Sequence, residues 1–122
     1  MPATYTIDVK QRLVSSEGSG VLTAAELIDH MERLRADPAF RPDFLQLVDF
    51  TGVTEVQVSA QDVRIMADGN PWGAGARRAV VAKRPAVYGL VRMYETLVEG
   101  HGEEMRLFDS LDEARRWLGL ET

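Results

Sequence analysis

Asp49, Lys83 and Asp109 come nearest, by type and position, to residues that could do chemistry. Each stands where a predicted strand ends, and the helices that follow open at Ser59, Pro85 and Ser110. In open α/β sheets ligands bind beyond the carboxyl ends of the strands, where loops and helix N-termini converge. A lysine among carboxylates near helix N-termini makes a polar rim that tolerates anions. Structural roles also account for each residue alone. Asp49 ends a strand, Asp109 begins a turn, Lys83 is solvated, and Ser59 and Ser110 are N-caps. Ser59 carries a second chemical possibility, because a hydroxyl at a helix N-terminus is where added phosphate is electrostatically welcome. It is the candidate phosphoacceptor.

Other chemistry is thinly represented. Gly73-Ala74-Gly75 follows a helix and leads into a strand, whereas a phosphate cradle needs its glycines after a strand and before a helix. There is no Gly-x-Ser-x-Gly elbow and no cysteine, which removes a thiolate nucleophile, a thiolate metal site and a disulfide framework. The two histidines, His30 and His101, lie far apart, and His101 with Glu103 and Glu104 reads as a polar turn rather than a metal site. An enzyme built on Asp49, Lys83 or Asp109 lacks a nucleophile–base pair, so no catalytic residue, metal or cofactor is expected. Two further residue groups belong to a candidate ligand or partner surface. Trp72, in the loop Asn70-Pro71-Trp72-Gly73-Ala74-Gly75, either tucks onto the body or forms a lid or contact. Tyr88 and Arg92 lie, with Glu95, on the side of a helix opposite Leu90, Tyr94 and Leu97, where Tyr and Arg suit a partner surface and Arg–Glu suits a solvated pair. Gly89 in that helix costs about 1 kcal/mol of helix propensity relative to Ala, which hints at close packing there.

The elements that must position these residues follow from periodicity. Thr4 to Val9 alternates as a half-exposed strand, with Arg12 to Glu17 as its hairpin partner. Gly18-Ser19-Gly20 breaks the pattern, and a helix starts at Thr23 with Glu26 at capping-box spacing. Its stripe is Leu27, Ile28, Met31 and Leu34, and Asp37-Pro38 ends it. Phe44 to Phe50 is a strand apolar on both faces, followed by a turn at Thr51-Gly52-Val53-Thr54. Ser59 opens a helix that stops at Gly69, and Arg78 to Lys83 is the next strand. Pro85 sits in the first turn of the most amphipathic helix, Val87 to Val98. Met105 to Phe108 is the last strand, and Ser110 and Glu113 repeat the capping-box spacing before a final helix that stops at Gly119. The order β-β-α-β-α-β-α-β-α predicts an α/β fold: a mixed, mainly parallel sheet with an N-terminal β-hairpin and four helices, joined by right-handed crossovers.

The totals agree with one domain across residues 1–122, long enough for a core that needs no metal or disulfide. Apolar residues at 45% and charged residues at 27% describe an ordinary globular balance. The start lacks the pattern of a secretory signal and no segment approaches a membrane span, which points to the cytoplasm. A net charge of -5 argues against a nucleic-acid partner. The basic residues Arg77, Arg78, Lys83 and Arg84 do not repair this, because roughly 3.3 Å per residue puts the two pairs about 17 Å apart along a strand.

Asp49-Phe50-Thr51-Gly52-Val53-Thr54-Glu55-Val56-Gln57-Val58-Ser59-Ala60 resembles the strand-turn-helix segment of STAS domains, the anti-sigma-factor-antagonist fold. The whole chain is similar to the SpoIIAA-like (STAS/SEC14-like) bacterial proteins. The features that carry this are Tyr5-Thr6-Ile7-Asp8, Thr23-x-x-Glu26, Ala79-Val80-Val81, Tyr88-Gly89 with Arg92-Met93-Tyr94-Glu95, and Leu107-Phe108 to Ala114-Arg115-Arg116-Trp117-Leu118. The resemblance implies a non-enzymatic, dimeric module that binds a partner protein or a small apolar or lipid-like ligand. It also places Ser59 at the position phosphorylated in antagonists of the STAS type. Gln57-Val58-Ser59-Ala60 departs from the Asp-Ser-Ser-Gly usual there. The resemblance thus leaves two expectations: a binding module, or an antagonist switched at Ser59.

Overall fold

Five strands and four helices make up the computed structural model, which describes residues 3–120. The strands are β1 (Ala3–Asp8), β2 (Leu13–Thr23), β3 (Leu45–Gln57), β4 (Arg77–Val81) and β5 (Glu104–Phe108). The helices are α1 (Ala24–Ala36), α2 (Ala60–Asp68), α3 (Pro85–Leu97) and α4 (Leu111–Trp117). The sheet order is β1-β2-β3-β4-β5, with β1 antiparallel to β2 and every other pair parallel. The β1–β2 hairpin is the expected antiparallel edge.

Because each parallel crossover moves one strand along in the same direction, the right-handed rule puts α1, α2 and α3 on one face. The alternation of side chains then divides the core. Val48 and Val80 point toward these three helices, and Leu47, Ala79 and Val81 point toward α4. Leu34 of α1 is almost fully buried, with Val14 and Phe44, in a further cluster beside β1; burial of such a side chain is worth about 1.5–3 kcal/mol. Helix starts follow the expected capping in part. The Thr23 hydroxyl accepts from the Glu26 N–H and Ser110 from the Glu113 N–H, but the Glu26 carboxylate turns to the Thr23 hydroxyl, and the full reciprocal box forms instead between Ser59 and Asp62.

Three local expectations need correction. The stretch 51–54 is strand rather than turn, and 18–20 is strand rather than a break. These two glycine-containing segments pair with each other, Ser19 opposite Gly52 and Gly20 opposite Val53, while two register shifts absorb the irregularity as bulges. Gly18 is required there, since a Cβ would lie 2.9 Å from the Phe50 ring. Gly89 marks no close packing: it is exposed, and a Cβ there would meet nothing within 4 Å.

Candidate functional site

Three polar side chains interrupt the sheet face that α1, α2 and α3 cover. Ser16 of β2, Gln46 of β3 and Arg78 of β4 are all buried, and His30 of α1 is buried above them. Register brings them together, because Gln46 pairs with Arg78 and Ser16 sits beside the Gln46 strand, opposite Val48. The Arg78 Nε donates to Gln46 Oε1 at 2.8 Å, and Gln46 Nε2 donates to Ser16 Oγ at 3.1 Å. Ser16 Oγ lies 3.1 Å from His30 Nε2. One hydrogen-bonded line thus crosses three strands and ends on a helix.

Arg78 would be costly to bury alone. Its Nη1 donates to Glu103 Oε2 at 2.7 Å, to the Tyr94 hydroxyl at 3.1 Å and to Asn70 Oδ1 at 3.3 Å. The Glu103 side chain is fully buried, and its other oxygen accepts from Asn70 Nδ2. The aromatic faces of Trp72 and Tyr94 lie 5.0 Å and 5.2 Å from the guanidinium carbon. Burial pushes Arg78 toward losing its proton, while Tyr94 and Glu103 outweigh it and hold its pKa above the ordinary value. His30 is moved the other way. Burial first, then the charges of Arg33 and Arg78, lower its pKa to about 4 against the weaker opposing effect of Asp29, so near neutral pH the ring is uncharged.

The polar line floors one end of a cavity of about 130 Å³. α2 packs chiefly on its neighbours α1 and α3, and the space lies between it and the sheet. Val63 and Met66 of α2 roof the cavity, and Val48 and Val80 line its sheet side. The half-buried Leu27, Val56, Val58 and Leu90 line its outer end, toward the carboxyl ends of the strands. The walls are thus almost wholly apolar, and the hydrogen-bonding groups gather near the amino ends of β3 and β4.

The residues singled out by sequence fall mostly elsewhere. Lys83 and Asp109 follow the carboxyl ends of β4 and β5, but Asp49 is not at a strand end: β3 runs on to Gln57, and Asp49 lies inside it opposite Val81. No hydrogen bond or ion pair joins the three among the described residues. Asp49 Oδ1 instead accepts from the backbone N–H and hydroxyl of Thr51, while Lys83 and Asp109 are exposed. Ser59 is exposed at the α2 N-terminus, with its Oγ engaged by the Asp62 N–H at 3.1 Å. Arg92 is exposed, and Tyr88 is half-buried against the core under α3. Trp72 takes the first of its two expected roles and tucks onto the body: it is 4% exposed, packs edge-to-face on Phe40 at 4.9 Å, and lines the cavity. A serine and a histidine that the sequence reading did not bring together, Ser16 and His30, adjoin. Gln46 donating to Ser16 and a His30 pKa near 4 make the ring a poor base for that hydroxyl.

The fold is SpoIIAA-like. The chain is similar to a solved structure from Shewanella loihica PV-4, an uncharacterized protein of the DUF3478 family described as having a SpoIIAA-like fold. The two share 18% sequence identity with a TM-score of 0.63, over 95% of this chain and 93% of that one. No family model matches the sequence, and no curated protein does. Among the described residues no helix is long and apolar enough to cross a membrane.

Proposed function

We propose that this chain is a non-enzymatic binding module whose ligand is a small apolar molecule held between α2 and the sheet. The observation that carries this is the cavity itself, about 130 Å³ with almost wholly apolar walls. An apolar cavity of about 150 Å³ stays dry and takes up benzene, which sets the scale of a fully enclosed occupant. A longer lipid-like chain would extend past Leu27 and Val58 at the outer end. Ser16 and His30 serve recognition here, and a serine-directed fluorophosphonate should leave Ser16 unlabelled. Labelling there would contradict the non-enzymatic assignment.

Trp72 supplies the test. In the Trp117→Phe variant it is the sole tryptophan, so its emission reports the cavity. Titrated benzene should shift that emission saturably. A response that rises linearly without saturation would overturn the proposal.

A second reading, a partner-binding antagonist switched at Ser59, is supported by the exposure of that hydroxyl at a helix start. Opposing it, the Asp62 carboxylate accepts from the Ser59 N–H at 2.9 Å, so a phosphate would be added beside a like charge. Partner release that is the same in wild type and Ser59→Ala would dismiss the switch.

A further inference from the structure

The polar floor of the cavity is specific about charge. Arg78 and Glu103 neutralise each other at 2.7 Å, and both Glu103 oxygens are used, one by Arg78 and one by Asn70. An anionic ligand would have to compete with a fully buried carboxylate for Arg78, and a cationic one with Arg78 for Glu103. Neither charge would find an unmatched partner, and an ion buried without one costs several kcal/mol.

The floor is equally specific about hydrogen bonding. Arginine can only donate, so the bond from Arg78 Nε fixes the Gln46 amide with its oxygen toward Arg78 and its NH₂ toward Ser16. Ser16 Oγ therefore accepts from Gln46 and makes its second bond with His30 Nε2. A hydroxyl offers one donor and two acceptor positions, so one position is left for an occupant. His30 decides which. With Nε2 protonated, it donates to Ser16, and the Ser16 proton is free for a carbonyl. With Nε2 unprotonated, it accepts a hydrogen bond from the Ser16 hydroxyl, and a lone pair of Ser16 Oγ is free for a hydroxyl. A neutral imidazole permits both arrangements.

We propose that the occupant is an uncharged molecule with one hydroxyl or carbonyl group, its polar atom on Ser16 Oγ and its apolar body beneath α2. This rests on the binding-module reading above and names the ligand class of the same site. Carboxylates of equal size are excluded by the closed Arg78–Glu103 pair.

Isothermal titration of the wild-type chain at neutral pH with toluene, phenol, pentanamide and pentanoate, all of one size, separates the claims. Phenol should bind about five-fold more tightly than toluene, the worth of one net neutral hydrogen bond. Pentanoate should bind about ten-fold or more weakly than pentanamide, because its charge would be buried unmatched. Ser16→Ala should abolish the preference for phenol and retain toluene; if that variant does not fold, the wild-type series decides alone. Toluene binding as tightly as phenol, or pentanoate as tightly as pentanamide, overturns the ligand class and leaves the cavity reading intact. Failure of all four to bind overturns both.

Discussion

Alternate residues of the same strands build two very different faces. Toward α4, Leu47, Ala79 and Val81 meet Ala114 and Leu118 in a small closed core. Its edge is sealed by Arg77, whose guanidinium lies 4.1 Å from the Trp117 ring centroid. Toward α1, α2 and α3 the same strands present Gln46, Val48, Arg78 and Val80, and α2 roofs a cavity rather than filling it. A single short helix closes down on small side chains. Three helices standing side by side hold the middle one off the sheet, and buried polar groups floor one end of the space beneath it. One face holds the sheet together, and the other has room for a ligand.

Replacing the two neighbouring arginines is the strongest way to break this contrast. Arg78→Ala leaves Glu103 buried and unpaired and should cost about 3–5 kcal/mol in denaturant unfolding. Arg77→Ala loses a cation–π contact and a distant Glu104, and should cost only about 0.5–1 kcal/mol. Equal losses would show that the buried pair is not special to the cavity face.

Acid should weaken the cavity face next. His30 has its pKa lowered from 6.5 to about 4, so the unfolded chain binds the proton more readily. The stability from a neutral His30 is complete above pH 6.5 and is lost as pH falls toward 4, by up to about 3 kcal/mol at 1.36 kcal/mol per pKa unit. Subtracting the pH profile of His30→Phe from that of the wild type should isolate this slope. A flat difference would mean that His30 is not held neutral.

Enlarging a core residue should then have opposite effects on the two faces. Ala79→Val overpacks the α4 side and should destabilise by about 1–3 kcal/mol. Val63→Leu grows into the cavity and should be neutral or stabilising by up to about 1 kcal/mol, with benzene binding weakened. Melting both variants beside the wild type checks the pair, and destabilisation by both would mean that the space under α2 cannot be filled. The smallest effect is local. Ser59→Ala removes one N-cap and should cost about 1 kcal/mol in the same melts without altering cavity binding.

The frame of the molecule was legible because its signals are local. Thr23, Ser59 and Ser110 announce helix starts, Pro85 sits at the start of α3, and the apolar stripes give the faces. The long β2–β3 pairing was not, because two glycine segments that each read as interruptions are strand only when paired with each other. The polar line was hidden for a similar reason. Ser16, Gln46 and Arg78 lie about 30 residues apart, and only strand register joins them. A signal did exist: Gln46 sits inside the apolar run Phe44 to Val48, and Arg78 precedes Ala79-Val80-Val81. A polar residue where a strand should be buried on both faces points to an interior partner. Glu103, in the turn before β5, carried no such mark, and its role depends on where that turn folds back.

Methyl-selective NMR during a benzene titration reads out directly whether the space under α2 takes up a ligand. Saturable shifts are expected for the Leu22, Val63, Val80 and Val91 methyls, which line the cavity, with Leu47, Val81 and Leu118 on the α4 side unmoved. Shifts spread equally over both faces, or none at any concentration, would contradict uptake there.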